Sequence, residues 1–312
     1  MRANFQIIAA LLFSIVGSLS AAEPVKVAAL SPIFGDLAAR VGGDRVEVID
    51  IVPPGQDPHD FELTAGDLKK MSGANLIVAG GLGFEPYLDK LRDALPDTDV
   101  VALGDFVKPI MIEAGSDDAH HHDHDHDHDH EHDHDAKGGK YPDPHWWQSV
   151  PNMQRAAKGL QKALTAEDPD GKANYAANTK AYVDELADLH RELKVKVAAI
   201  PRERRVLVTS HAALNYLAKE YDFEVESIAG ISTADSPSSR EIRDLIDKMK
   251  EKGVTAIFAE NAENPKVLEQ IANETGATLG GTLFVDTTEP GKADTYIDLM
   301  RHNISTVTSA LK

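Results

Sequence analysis

Fourteen histidines stand in a chain of 312 residues that has no cysteine, and nine of them fall in one run. His120, His121 and His122 are followed by His124, His126, His128, His130, His132 and His134, with Asp or Glu at nearly every position between. Imidazole is the commonest side-chain metal ligand, and alternating it with carboxylates along an extended chain offers many interchangeable two- and three-ligand sets. The run lacks apolar residues to offset chain entropy, so it reads as a disordered loop over about 115–140 that captures cations weakly. A solvated acidic linker with no role is the plainer alternative. A purification tag fits poorly with a position in the chain's interior.

The five other imidazoles are His59, His145, His190, His211 and His302. His59 ends Gln56-Asp57-Pro58-His59, His145 sits in Asp143-Pro144-His145-Trp146-Trp147, and His211 follows Ser210. Each has a structural explanation taken singly, since Asp-Pro-His is a turn sequence and Ser-His can cap a helix. Asp286, after Leu283-Phe284-Val285, is the carboxylate placed most like them. Three imidazoles and one carboxylate suit Zn²⁺ in a tetrahedral site, and suit Mn²⁺ less, because Mn²⁺ prefers more oxygen. Affinity order alone favours Cu²⁺, so geometry and availability must share in the selection.

Those four residues meet only if the elements before them converge. Val25 to Leu30, Val46 to Val52, Leu76 to Ala79 and Val100 to Leu103 read as strands, with helices near Ile33 to Val41, Ala65 to Met71 and Glu85 to Leu95. Thr64 is placed to cap the second of these helices, with Asp67 in its first turn. The second half repeats the rhythm with strands Val206 to Thr209, Val225 to Ile228, Ala256 to Ala259 and Leu283 to Val285, and helices near Arg240 to Lys252, Pro265 to Thr275 and Thr295 to Leu311. Strand, helix, strand in this order means a parallel sheet with helices on both faces. The fold class is α/β with two lobes, residues 23–171 and 201–312.

Between the lobes, Tyr175, Tyr182, Leu186, Leu189, Leu193, Val197 and Ile200 keep helical spacing from Asp168-Pro169-Asp170-Gly171 to Pro201. A helix over 172–200 joins the lobes, on the order of 40 Å long. The stripe lacks the sustained heptads of a coiled-coil dimer, so it is expected to pack on the lobes of a monomer. His59, His211 and Asp286 then follow strands, and ligands of open α/β sheets bind at the carboxyl ends of strands. A metal cleft between facing lobes is the expectation. His190 and His302 lie inside helices, where solvated or packed imidazoles are ordinary.

Met1, Arg2 and Asn4 precede an apolar run from Ile7 to Val16 and the small residues Ser20-Ala21-Ala22, the layout of a secretory signal over residues 1–22. The run is shorter than the roughly 20 residues of a spanning helix. Without cysteine there is neither a disulfide nor a thiol for a lipid anchor, so an unanchored periplasmic protein is expected. The net charge is −19, and nine acids between Asp117 and Asp135 supply nearly half of it. Such a balance does not favour nucleic acid as a partner, since its phosphates attract Lys and Arg.

The phrases QDPHDFELTAGDL (56–68), DPHWW (143–147), TSHAALNYLAKEYDF (209–223), AIFAENAENPKVLEQIANETGA (256–277) and FVDTTEPGKADTYIDLMRHN (284–303) resemble the zinc and manganese (cluster 9) solute-binding proteins of ABC importers. The likeness covers essentially all of the chain after the signal except the His/Asp run. It implies metal ligands at His59, His145, His211 and Asp286. Manganese members have Glu at the third position, so His211 implies the zinc type. The resemblance also places the His-rich run in a loop that zinc members often carry, as an accessory to the buried site. Two features depart from the family: Trp146-Trp147-Gln148-Ser149-Val150-Pro151 has one residue more than usual before the proline, and the C-lobe disulfide of many zinc members cannot form.

The resemblance implies a periplasmic protein of high zinc affinity that delivers Zn²⁺ to an ABC permease in the inner membrane, with a periplasmic metallochaperone as a further partner. A zinc buffer or metallochaperone acting mainly through the His-rich run is the alternative. A zinc hydrolase is the rival from another class, since three His can hold a catalytic metal with water in the fourth position. Against an enzyme, there is no Gly-x-Ser-x-Gly elbow, no cysteine nucleophile and no His-Glu-x-x-His helix, since the literal match at His130-Glu131-His132-Asp133-His134 falls within the low-complexity run.

Overall fold

The computed structural model describes residues 23–113, 139–233, 237–261 and 265–312. The signal segment expected over 1–22 and the nine imidazoles from His120 to His134 lie outside the described residues.

In the first lobe, β1 (Val25–Ala29), α1 (Pro32–Gly42), β2 (Val46–Asp50), α2 (Ala65–Met71), β3 (Leu76–Ala79), α3 (Leu88–Ala94) and β4 (Asp99–Ala102) follow the expected alternation. The strands form one parallel sheet in the order β2-β1-β3-β4. Side chains alternate across it, as a period of two requires. Val25, Val27 and Ala29 face a core shared with Ile33, Phe34 and Leu37 of α1, whereas Ala28 and Leu30 face Met71 of α2 and Leu91 of α3. Thr64 caps α2 and completes a capping box with Asp67.

Next comes an antiparallel hairpin that the sequence reading missed, β5 (Met111–Glu113) with β6 (Lys140–Pro142). Its strands are only three residues long, too short for a period to show. Also missed was α4 (Val150–Glu167), although Ser149 accepts the amide of Asn152 as its cap and Pro151 stands in its first turn. α5 (Lys172–Ala198) then runs 27 residues. Its buried face, Tyr175, Tyr182, Leu186, Leu189, Leu193 and Val197, is the stripe read from the sequence. It packs against α1 and α4 and reaches the C-terminal helix, so that stripe is consumed within the chain and leaves no seam for a coiled coil.

The second lobe contains β7 (Val206–Thr209), α6 (Asn215–Tyr221), β8 (Glu224–Ser227), α7 (Ser239–Lys252), β9 (Ala256–Glu260), α8 (Lys266–Thr275), β10 (Thr278–Leu283) and α9 (Tyr296–Leu311). Here the parallel pairing is divided: β7 bonds to β8, and β9 to β10, with β7 lying beside β9. Leu207, Ala256 and Phe258 join the core of the first lobe, while Val208 and Ile257 face α7 and α8. One apolar core therefore runs from β1 through α5 to α9. Each fully buried Leu or Phe along it contributes roughly 1.5–3 kcal/mol.

The last strand differs from expectation. It spans Thr278–Leu283 rather than 283–285, and its register shifts between Leu279 and Thr282. Gly280 and Gly281, the latter at φ +127°, interrupt the apolar pattern, as glycine does at an irregularity in a strand. Phe284, Val285 and Asp286 lie in the buried segment beyond it. Among the described residues no helix is long and apolar enough to cross a membrane.

Candidate metal centre

His59 lies in the crossover from β2 to α2, where its amide donates to Asp57 Oδ1 at 2.8 Å. His145 precedes a single 3-10 turn, Trp146–Gln148, after which Ser149 caps α4. Both indoles lock the turn, Trp146 donating to Gly80 O and Trp147 to Val285 O. His211 lies two residues beyond β7, and Asp286 lies three residues beyond β10.

These four side chains meet. Nε2 of His59 is 3.3 Å from Nε2 of His145 and 3.4 Å from Asp286 Oδ2. His211 Nε2 is 3.2 Å from the same oxygen, and His145 Nε2 is 3.8 Å from Asp286 Oδ1. One ligand atom from each residue lies within 4.8 Å of all the others. Tetrahedral ligands at the usual Zn–N length stand about 3.4 Å apart, so the spacing fits an ion at the centre. His145, His211 and Asp286 are buried. Asp286 Oδ1 is buried without a hydrogen-bond partner, an arrangement that costs free energy unless a cation answers it.

Two further carboxylates, not singled out from the sequence, complete the centre. Asp143 Oδ1 accepts the amide and faces Nδ1 of His145, both at 2.9 Å, while its Oδ2 accepts from Asn215 of α6. Glu260, at the end of β9, accepts the amides of Ser210 and His211 on Oε1 and faces His211 Nδ1 with Oε2 at 2.6 Å. Each therefore directs Nε2 of its imidazole toward Asp286, the orientation metal-binding histidines take. The one sequence signal for Glu260 is its place directly after the strand read at Ala256 to Ala259.

Burial and charge oppose each other here. Complete burial holds His145 below the ordinary imidazole range, although Asp286 and Asp143 pull the other way. Burial also works against charge on His211, but Glu260 and Asp286 together raise it well above that range. Burial would raise Asp286, yet His211 and His145 hold it well below the usual carboxylate range.

Phe84 stands edge-on to His59 at 5.0 Å between ring centres, and to Trp147 at 4.5 Å, walling off one side. A cavity of about 630 Å³ opens beside His59, lined by Phe61, Leu63, Leu68, Tyr87 and Leu91 among others. His190 and His302 are elsewhere: His190 Nδ1 meets Tyr221 Oη at 3.1 Å, and His302 stacks on Phe284 with Nε2 2.9 Å from Thr282 O.

Known proteins resemble this chain along most of its length. A manganese-binding lipoprotein, MntA of Halalkalibacterium halodurans, is 29% identical over 297 residues, covering 95% of this chain and 91% of that one. The periplasmic zinc-binding protein TroA of Treponema pallidum superposes with a TM-score of 0.79 at 26% identity, over 93% of this chain and 99% of that one. A Cd-bound periplasmic metal-binding protein of Candidatus Liberibacter asiaticus follows with a TM-score of 0.77 at 29% identity, over 92% and 99%. Residues 27–310 match the model of the zinc-uptake complex component A, periplasmic, and with that match over a two-lobed fold whose His59, His145, His211 and Asp286 could hold a metal ion, the chain belongs to this family of metal-binding components of ABC importers.

Proposed function

We propose that this protein captures Zn²⁺ outside the cytoplasm, with His59, His145, His211 and Asp286 as its ligands, and delivers the ion to an inner-membrane ABC permease. The observation that carries the reading is the third imidazole: His211 directs Nε2 to Asp286 while Glu260 faces its Nδ1. Three nitrogens and a carboxylate make a zinc-like set. Manganese is the second reading, favoured by the manganese-binding names of MntA and PsaA among the relatives. Asp286 offers two oxygens, and bidentate use of both would give Mn²⁺ more of the oxygen it prefers. Competition between Zn²⁺ and Mn²⁺ for the same site, read by calorimetry or chelator displacement, tests the choice. Preference for Mn²⁺ at equal free concentrations would overturn it.

Binding rather than hydrolysis is the role proposed for the ion, because Asp286 occupies the position a catalytic zinc leaves open to water. Several relatives are named lipoproteins. This sequence has no cysteine to acylate, so we place it unanchored in the periplasm, as a monomer. The His-rich run joins β5 to β6, and His145 follows β6 by three residues. It is proposed as an accessory that collects cations for the buried site and exchanges them with a periplasmic metallochaperone.

A further inference from the structure

We propose that Asp57 is a positioning residue that clasps the loop of His59 to the opposite lobe and thereby sets how fast the bound cation leaves. The inference rests on the reading of His59 as a ligand. Asp57 uses both carboxylate oxygens: Oδ1 accepts the amide of His59 at 2.8 Å, and Oδ2 accepts the hydroxyl of Thr233 at 2.7 Å. Thr233 belongs to the second lobe, in the segment between β8 and α7. Two residues before Asp57, the amide of Gly55 donates to Thr287 Oγ1 at 3.0 Å. Thr287 is fully buried and directly follows the ligand Asp286. Gly55 holds φ +80°, a left-handed conformation that turns its amide without the strain another side chain would meet.

The ligands divide between the lobes, His59 and His145 on the first, His211 and Asp286 on the second. His145 is immobilised by two buried indoles and by Asp143. His59 rides on an irregular loop and is the only one of the four that is half-buried as a whole residue, its exposure lying in the backbone, since its side chain is 5% exposed against 8% for Asp286. An ion leaving the cleft therefore has its easiest route where His59 withdraws from Asp286. That withdrawal must break the Asp57–Thr233 and Gly55–Thr287 bonds. The first has a carboxylate acceptor, so it is the stronger of the two. Because one carboxylate holds both the His59 amide and Thr233, the ligand and the lobe opposite move together.

Stopped-flow release of Zn²⁺ from the full chain into excess chelator tests this. Thr233→Val removes the hydroxyl while keeping its shape and leaving the cap on His59 intact. It should raise the dissociation rate about tenfold, the worth of a hydrogen bond to a charged acceptor, with the association rate unchanged. Asp57→Ala should release at least as fast, and adding Thr233→Val to it should change nothing further, since both remove the same bond. Asp57→Asn keeps an oxygen for the His59 amide and can donate to the Thr233 hydroxyl, so it should restore most of the slow release. A wild-type rate in Thr233→Val, or fully additive increments in the double variant, would overturn the clasp. His59→Ala separates the two claims. If it keeps tight binding, the ligand assignment fails; if it loses tight binding while Thr233→Val releases at the wild-type rate, the clasp alone fails.

Discussion

Oε2 of Glu260 lies 2.6 Å from Nδ1 of His211, while Oε1 of the same carboxylate accepts the backbone amides of Ser210 and His211. The end of β9 thus orients both the backbone and the ring of an imidazole in the loop after β7. Glu260→Gln keeps size and an acceptor but loses the charge that makes the imidazole a stronger donor. Metal affinity should fall about 10- to 100-fold, the usual cost of removing such a partner, with the fold retained. Chelator competition measures it, and unchanged affinity would leave Glu260 with a purely structural role.

His211→Glu should move preference toward Mn²⁺ by exchanging nitrogen for oxygen. The substitution also sets a second carboxylate against Glu260, and like charges at this burial repel strongly. Adding Glu260→Gln should therefore recover stability and strengthen the shift. Competition between the two metals would decide, and an unaltered ratio in both variants would show that the third ligand does not select the ion.

Away from the metal, Arg45 grips Asp168 with Nε and Nη2 at 2.7 and 2.8 Å, tying the start of α5 to the first lobe. Hydrogen bonding from Arg45, aided by the hydroxyl of Tyr175, lowers the Asp168 carboxyl from 3.8 to about 2. A folded-state value below the unfolded one stabilises the protein above the unfolded value, and the gain is lost as pH falls through the folded one. The stability difference between wild type and Asp168→Asn should be constant from neutrality down to about pH 5, shrink below pH 4 and be mostly lost by about pH 2. Urea unfolding at stepped pH reads it; a gap unchanged from neutrality to pH 2 would mean the bridge contributes nothing through charge.

Deletion of residues 120–135 should lower total zinc capacity near neutral pH and leave one tight site. The two forms should converge on about one ion as pH falls below 6.5, since protons compete for the imidazoles of the weaker run first. Equilibrium dialysis across pH 5–7.5 checks this. A capacity difference unchanged at pH 5 would show that the run does not bind through its imidazoles.

His59, His211 and Asp286 were legible because short β-branched runs announce strands and a parallel sheet gathers loops at one end. His145 was legible from Asp143-Pro144-His145 and from the family phrases around it. Glu260 was read only as part of a phrase, since its pairing with His211 depends on β7 lying beside β9, a tertiary fact no local pattern encodes. The end of β10 was misplaced because Gly280 and Gly281 break its apolar run and the register shifts there. α4 is hard to read despite its Ser149 cap because Asn152, Ala156, Ala157 and Gly159 on its buried face leave only a weak apolar stripe. The bonds from Asp57 to Thr233 and from Gly55 to Thr287 join residues more than 170 positions apart, beyond any spacing rule.

The central claim is that one ion is held between the lobes by three imidazoles and one carboxylate. Diffraction from the zinc-loaded protein on both sides of the zinc absorption edge tests it most directly. The account predicts a single strong anomalous peak among His59 Nε2, His145 Nε2, His211 Nε2 and the carboxylate of Asp286, at about 2.0–2.2 Å from each. A principal peak elsewhere, or one that leaves any of the three imidazoles out of reach, would contradict it.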